Sequence, residues 1–132
     1  MENNEFNQDS VELVEINNSK LTFDEQVIAK IVGMALKNVD GVALVRSGGG
    51  AFSGIVGRNS GAGINVEVGE TEVAVDLRLI LEFGKNAREK YLELKTLIES
   101  QVFSMTGLRV VEVNAKIEDV LDTEDFRARL DQ

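Results

Sequence analysis

Hydrophobic and polar positions follow two rhythms along this chain. Val27, Ile28, Ile31, Val32, Ala35 and Leu36 recur at i, i+3 and i+4, which puts them on one stripe of a helix. The helix is predicted over Asp24 to Asn38, opened by Asp24 or by a Thr22 and Glu25 capping box and closed by the Asp40-Gly41 turn. Gly33 in its interior costs about 1 kcal/mol relative to alanine, which suggests close packing against a neighbour. A second stripe, Tyr91, Leu94, Ile98, Val102 and Met105 with Leu97 beside it, predicts a helix from Ala87 to Thr106, capped by Asn86 and ended by Gly107.

Elsewhere the period is two. Ile64, Val66 and Val68 alternate with Asn65 and Glu67, and the odd positions from Val73 to Phe83 are all apolar. A turn at Glu70-Thr71 sets Val68 opposite Val73, Val66 opposite Val75 and Ile64 opposite Leu77, so every apolar side chain falls on one face of a hairpin. Val42 to Val45 is a short strand, and Val111, Val113, Ala115 and Ile117 predict a last one. Leu21 and Phe23 alternate with polar residues, and Val11 to Ile16 holds a further short extended run. One apolar face per strand and one stripe per helix imply an α+β two-layer sandwich, a mixed open sheet with two helices packed on one face. Asn65, Glu67, Asp76, Arg78, Ile80 and Glu82 belong on the other face, where an exposed Arg78 and Ile80 are candidates for homotypic pairing.

Residues 1–19 are amide-rich and acidic and read as a flexible tail, residues 20–120 as the domain, and residues 121–132 as a C-terminal tail. In that last segment Asp122-Thr123 can cap a short helix bearing Phe126 and Leu130 at i and i+4, which either docks or frays. Ser47 to Gly63 contains seven glycines and little periodicity, the pattern of a long loop. Phe52, Ile55 and Val56 within it are candidate contact residues, because displayed apolar side chains either pack or meet a partner. The loop leads into a strand and has no Lys after its final Gly, so it is not a phosphate loop.

Composition narrows the chemistry. The chain has 132 residues, 43% of them hydrophobic and 28% charged, the profile of one soluble domain. It has no His and no Cys, which removes imidazole bases, thiolate nucleophiles, the usual zinc ligands and disulfides. Its net charge of −9, with cations scattered singly, disfavours nucleic acid and anionic lipid surfaces. No apolar run reaches membrane-spanning length and the first residues lack a signal-peptide pattern, so a cytoplasmic location without direct membrane insertion is expected. Glu67, Asp76 and Glu82 would project from a flat sheet beside Arg78, the arrangement of a solvated acidic face rather than an acid/base pair or metal site. No catalytic residue, cofactor or metal ligand is expected, and the chain is not read as an enzyme.

Several segments, in order, resemble the alkaline shock protein and general stress protein family of Gram-positive bacteria. Leu21-Thr22-Phe23-Asp24-Glu25-Gln26-Val27-Ile28-Ala29 is similar to the family's opening strand and helix, and Val39-Asp40-Gly41-Val42 to its helix-to-strand turn. Ile64-Asn65-Val66-Glu67-Val68-Gly69, Val73-Ala74-Val75-Asp76-Leu77, Glu82-Phe83-Gly84-Lys85-Asn86 and Met105-Thr106-Gly107-Leu108-Arg109-Val110-Val111-Glu112-Val113-Asn114 are similar to its hairpin, connection and closing strand. Many relatives carry Pro soon after the position of Gly84, where this chain has Lys85-Asn86-Ala87-Arg88. The resemblance implies a cytoplasmic, non-enzymatic protein of cell-envelope homeostasis and alkaline stress, forming homo-oligomers and held peripherally at the membrane by a membrane-anchored relative. It also implies two alternatives: a regulator of a cytoplasmic enzyme of fatty-acid synthesis, and a small-ligand binder using the glycine-rich loop.

Overall fold

Eleven residues of alternating character, Glu72–Glu82, form β3, the strand to which every other strand pairs. The computed structural model describes residues 19–45 and 63–130. In chain order the elements are α1 (Glu25–Leu36), β1 (Val42–Leu44), β2 (Ile64–Val68), β3, α2 (Ala87–Thr106), β4 (Arg109–Leu121) and α3 (Thr123–Leu130). β2 runs antiparallel to the first half of β3 in the register expected, Val68 opposite Val73, Val66 opposite Val75 and Ile64 opposite Leu77. β1 lies antiparallel to its second half, with Val42 opposite Leu81 and Leu44 opposite Leu79. β4 runs parallel along the whole of the other edge, so the sheet is mixed.

β1 and β2 therefore share one edge of β3, end to end, and meet at Arg78. Its N–H donates to the Gly63 carbonyl at 2.8 Å and its carbonyl accepts from the Val45 N–H at 3.0 Å. Gly63 has φ +91, and a Cβ there would lie 3.0 Å from the Val45 carbonyl oxygen, so only glycine can bring the chain back at this point. The glycine-rich segment thus leaves and rejoins the sheet at a single residue of β3. Phe52, Ile55 and Val56 lie outside the described residues, as do Val11 to Ile16.

The odd residues of β3, from Val73 to Leu81, turn into one core with Ile28, Val32 and Leu36 of α1 and Leu94, Ile98 and Val102 of α2. α1 and α2 cover that face side by side, as the two stripes require. Met105, assigned to the second stripe, stands exposed in the last turn of α2. Asn86 caps α2 by accepting from the Glu89 N–H at 3.0 Å, and Gly107 ends it at φ 82, a left-handed conformation. Neither the Thr22 and Glu25 box nor the Asp24 side chain caps α1, since Asp24 occupies the N-cap without a side-chain bond. Residues 19–24 also form no strand; Phe23, just before the N-cap, packs against the core instead.

Two corrections come from the sheet itself. In β4 the alternation breaks at register shifts between Val73/Ala74 and Leu79/Ile80, which insert one extra β4 residue each time. Val110 therefore pairs with Val73 and packs against the core, while Val111 is exposed. The second correction concerns the opposite face. Ile80 points away from the helices, as expected, yet it is only 2% exposed, because α3 docks on β3 and β4 there and buries Phe126 to the same 2%. The sheet is thus covered on both faces at this end, and Ile80 and Phe126, read from sequence as contact residues for a partner, are interior residues of the monomer. Asp122 caps α3 by accepting from the Asp125 N–H at 2.9 Å, and Leu130 remains 55% exposed.

Phe126→Ala is expected to lower the unfolding free energy by about 3 kcal/mol, with Leu130→Ala within about 0.5 kcal/mol of wild type, both read from urea denaturation. A Cβ on Gly33 would sit 3.6 Å from the Ile64 Cδ1, an ordinary contact, so the helix interior has room for a methyl group. Gly33→Ala should therefore stabilise the protein by about 0.5–1 kcal/mol in the same measurement.

Candidate interaction surfaces

The outer sheet face outside the footprint of α3 is polar and internally paired. Arg78 donates to both carboxylate oxygens of Glu118, through Nε at 2.8 Å and Nη2 at 3.0 Å. Hydrogen bonding to Arg78 holds the Glu118 carboxyl below the usual carboxylate range, and the same bond raises the guanidinium. Beside them Asn114 Nδ2 donates to Asp76 at 2.9 Å and to Glu112 at 2.7 Å. Arg78 is therefore exposed as expected, its side chain 54% accessible, but already engaged with a partner in its own chain. Among the described residues no group of three His, Cys, Asp or Glu is placed to hold a metal ion.

A second polar centre ties the first turn to the second helix. Asp40 accepts from Lys90 Nζ at 3.0 Å and from Lys85 Nζ at 3.2 Å, and Lys90 also reaches Glu93 at 3.5 Å. The Lys85 stem lies against Gly41, where an added Cβ would fall 2.9 Å from Cγ, so the glycine at φ +88 makes room for the lysine as well as the turn. Lys85 is the first residue of the segment in which this chain departs from the family pattern, and it serves as a cross-link from the β3–α2 turn to the α1–β1 turn. Sequence reading did not find this centre, because its members are some 45 residues apart.

Between the end of α1, β1 and α3 lies an open groove of about 870 Å³. Its walls combine Leu36, Leu44 and Leu130 with Lys37, Arg127 and Arg129, a local excess of cations on an acidic chain. Large apolar side chains are also exposed elsewhere, Phe83 at 73% and Leu92, Met105 and Phe103 on α2, the last with the Arg109 guanidinium 5.6 Å over its ring. No described helix is long and apolar enough to cross a membrane.

With the fold in place, comparison with known proteins gives the lineage. The model of the alkaline shock protein 23 family, described as having a cell envelope-related function, matches residues 14–121, all of the sheet and both core helices. The chain belongs to this family. A stress response regulator gls24 homologue of Streptococcus pyogenes serotype M1 is 41% identical over 124 residues, covering 90% of this chain and 68% of that protein. The same homologue from serotype M3 aligns identically. The uncharacterized protein YqhY of Bacillus subtilis is 28% identical over 118 residues, covering 86% of each chain. No solved structure matches. The resemblance read from the segments between Leu21 and Asn114 is thus that of a family member.

Hydrogen bonds from Lys90 and then Lys85, with their charges, hold the Asp40 carboxyl below its ordinary value. A carboxyl depressed in the folded state stabilises above its unfolded pKa of about 3.9, and that contribution is lost as pH falls through the folded value. Asp40→Asn should therefore lower the urea midpoint near neutral pH, modestly and less at high salt because Asp40 is exposed. The two midpoints should converge only once pH has fallen below that depressed folded value, where wild-type Asp40 is also neutral.

Proposed function

We propose that this protein is a non-enzymatic interaction module of the cell-envelope and general or alkaline stress response. In this reading it acts from the cytoplasm, self-associates, and reaches the membrane surface through a membrane-anchored relative. The observation that carries the reading is the family match, which spans nearly the whole fold and brings with it a cell envelope-related function. The most similar relatives named above, stress response regulators, support the stress role. The surface is in keeping with it: exposed Phe83, Leu92, Phe103 and Met105 and a cation-lined groove offer places to dock.

Affinity capture of the tagged full chain from gently solubilised native cells, with and without alkaline stress, tests this. Recovery of a membrane-anchored family relative together with further copies of the chain is the expected result. Recovery of a soluble metabolic enzyme in their place would overturn the envelope reading in favour of enzyme regulation.

A further inference from the structure

β4 is thirteen residues long, pairs among the described residues on one side only, and buries a single side chain, Val113. The backbone groups on its free side follow from the hydrogen bonds of β3. Arg78 and Glu82 direct theirs toward β1 and β2, so the even residues of β3 face that edge and the odd ones face β4. In a parallel pair the residue opposite an inward-facing one points away. Val113, Ala115 and Ile117, opposite Val75, Leu77 and Leu79, therefore direct N–H and C=O outward. The Tyr91 hydroxyl already donates to the Val113 carbonyl at 2.9 Å, leaving that oxygen one lone pair.

An edge of this kind is a template for another strand, and the side chains say which. When a second β4 is laid antiparallel about Asn114, residue i faces residue 228 − i, so Val113 meets Ala115 of the other copy in a doubly hydrogen-bonded pair. Glu112 then faces Lys116, and Arg109 faces Asp119, each twice by symmetry. The bulges preserve the match. They fall at Val111 and Glu118, on either side of Asn114, and keep the backbone of Arg109 and Asp119, the partners of Glu72 and Ile80, in phase with Glu112 and Lys116; the Arg109 guanidinium itself lies over the Phe103 ring of α2 at 5.6 Å and must leave it to meet Asp119. A strand whose two halves carry opposite charges at mirrored positions is complementary to itself.

We infer that β4 is a homotypic edge: two copies of the chain join by antiparallel β4 pairing centred on Asn114, making one continuous sheet across a two-fold axis. This gives the self-association in the proposed reading, on which its biological meaning rests, a defined surface and register. The contact is one strand edge, so it is a weak, concentration-dependent dimer.

Sedimentation velocity of the purified full chain over a concentration series tests the pairing apart from any cellular partner. Wild type should pass from monomer to dimer. Lys116→Glu, which sets like charges opposite each other twice, should raise the dissociation constant roughly tenfold or more. The charge swap Glu112→Lys with Lys116→Glu should restore it. Ala115→Pro removes an N–H that points away from β3, so it should abolish the dimer while circular dichroism stays that of wild type. A wild type monomeric at every concentration overturns the pairing, whatever the capture experiment recovers. So does a dimer that both single variants leave unchanged, or a swap that fails to rescue.

Discussion

Each strand of the sheet is held by hydrogen bonds to β3, and that dependence organises everything else. Antiparallel pairing brings β1 and β2 to one side, parallel pairing brings β4 to the other, and the alternation of β3 decides which face each neighbour shows to the helices. Val73, Val75, Leu77 and Leu79 are almost wholly buried beneath α1 and α2. Strand pairing with the wrong parity would turn those side chains outward, so the register is set by the same burial that drives folding.

Against this core the polar interactions are local fasteners. Asp40 with Lys85 and Lys90 joins two turns that chain connectivity leaves independent, and Arg78 with Glu118 joins β3 to β4 across the outer face. Pairs as exposed as these contribute little individually, and their role is to fix geometry at places where apolar contact is thin. The docking of α3 is different in kind. Where α3 packs on β3 and β4, Phe126 and Ile80 are each buried to 2% exposure, so an otherwise solvated face gains a small apolar contact.

The outer face is occupied by its own ion pair and amide network, the β1 edge opens onto a groove lined by more cations than anions, and among the described residues no strand pairs with the outer edge of β4, which carries charges of both signs.

The sequence by itself determined the elements and the core. Period-two and period-3.6 patterns in Ile64–Val68, β3, α1 and α2 are local, and a hairpin register is settled by the requirement that all apolar residues share a face. Segment similarity likewise sufficed for the family. Only the tertiary structure decided what depends on residues far apart. The bulges of β4 answer to β3, so Val111 and Val110 exchange places although the alternation reads smoothly. The burial of Ile80 goes with the docking of α3, more than 40 positions later, a helix whose own sequence permitted either docking or fraying. Leu21 to Phe23 alternate like a strand yet form none, since a strand exists only through a pairing partner, which alternation alone does not provide.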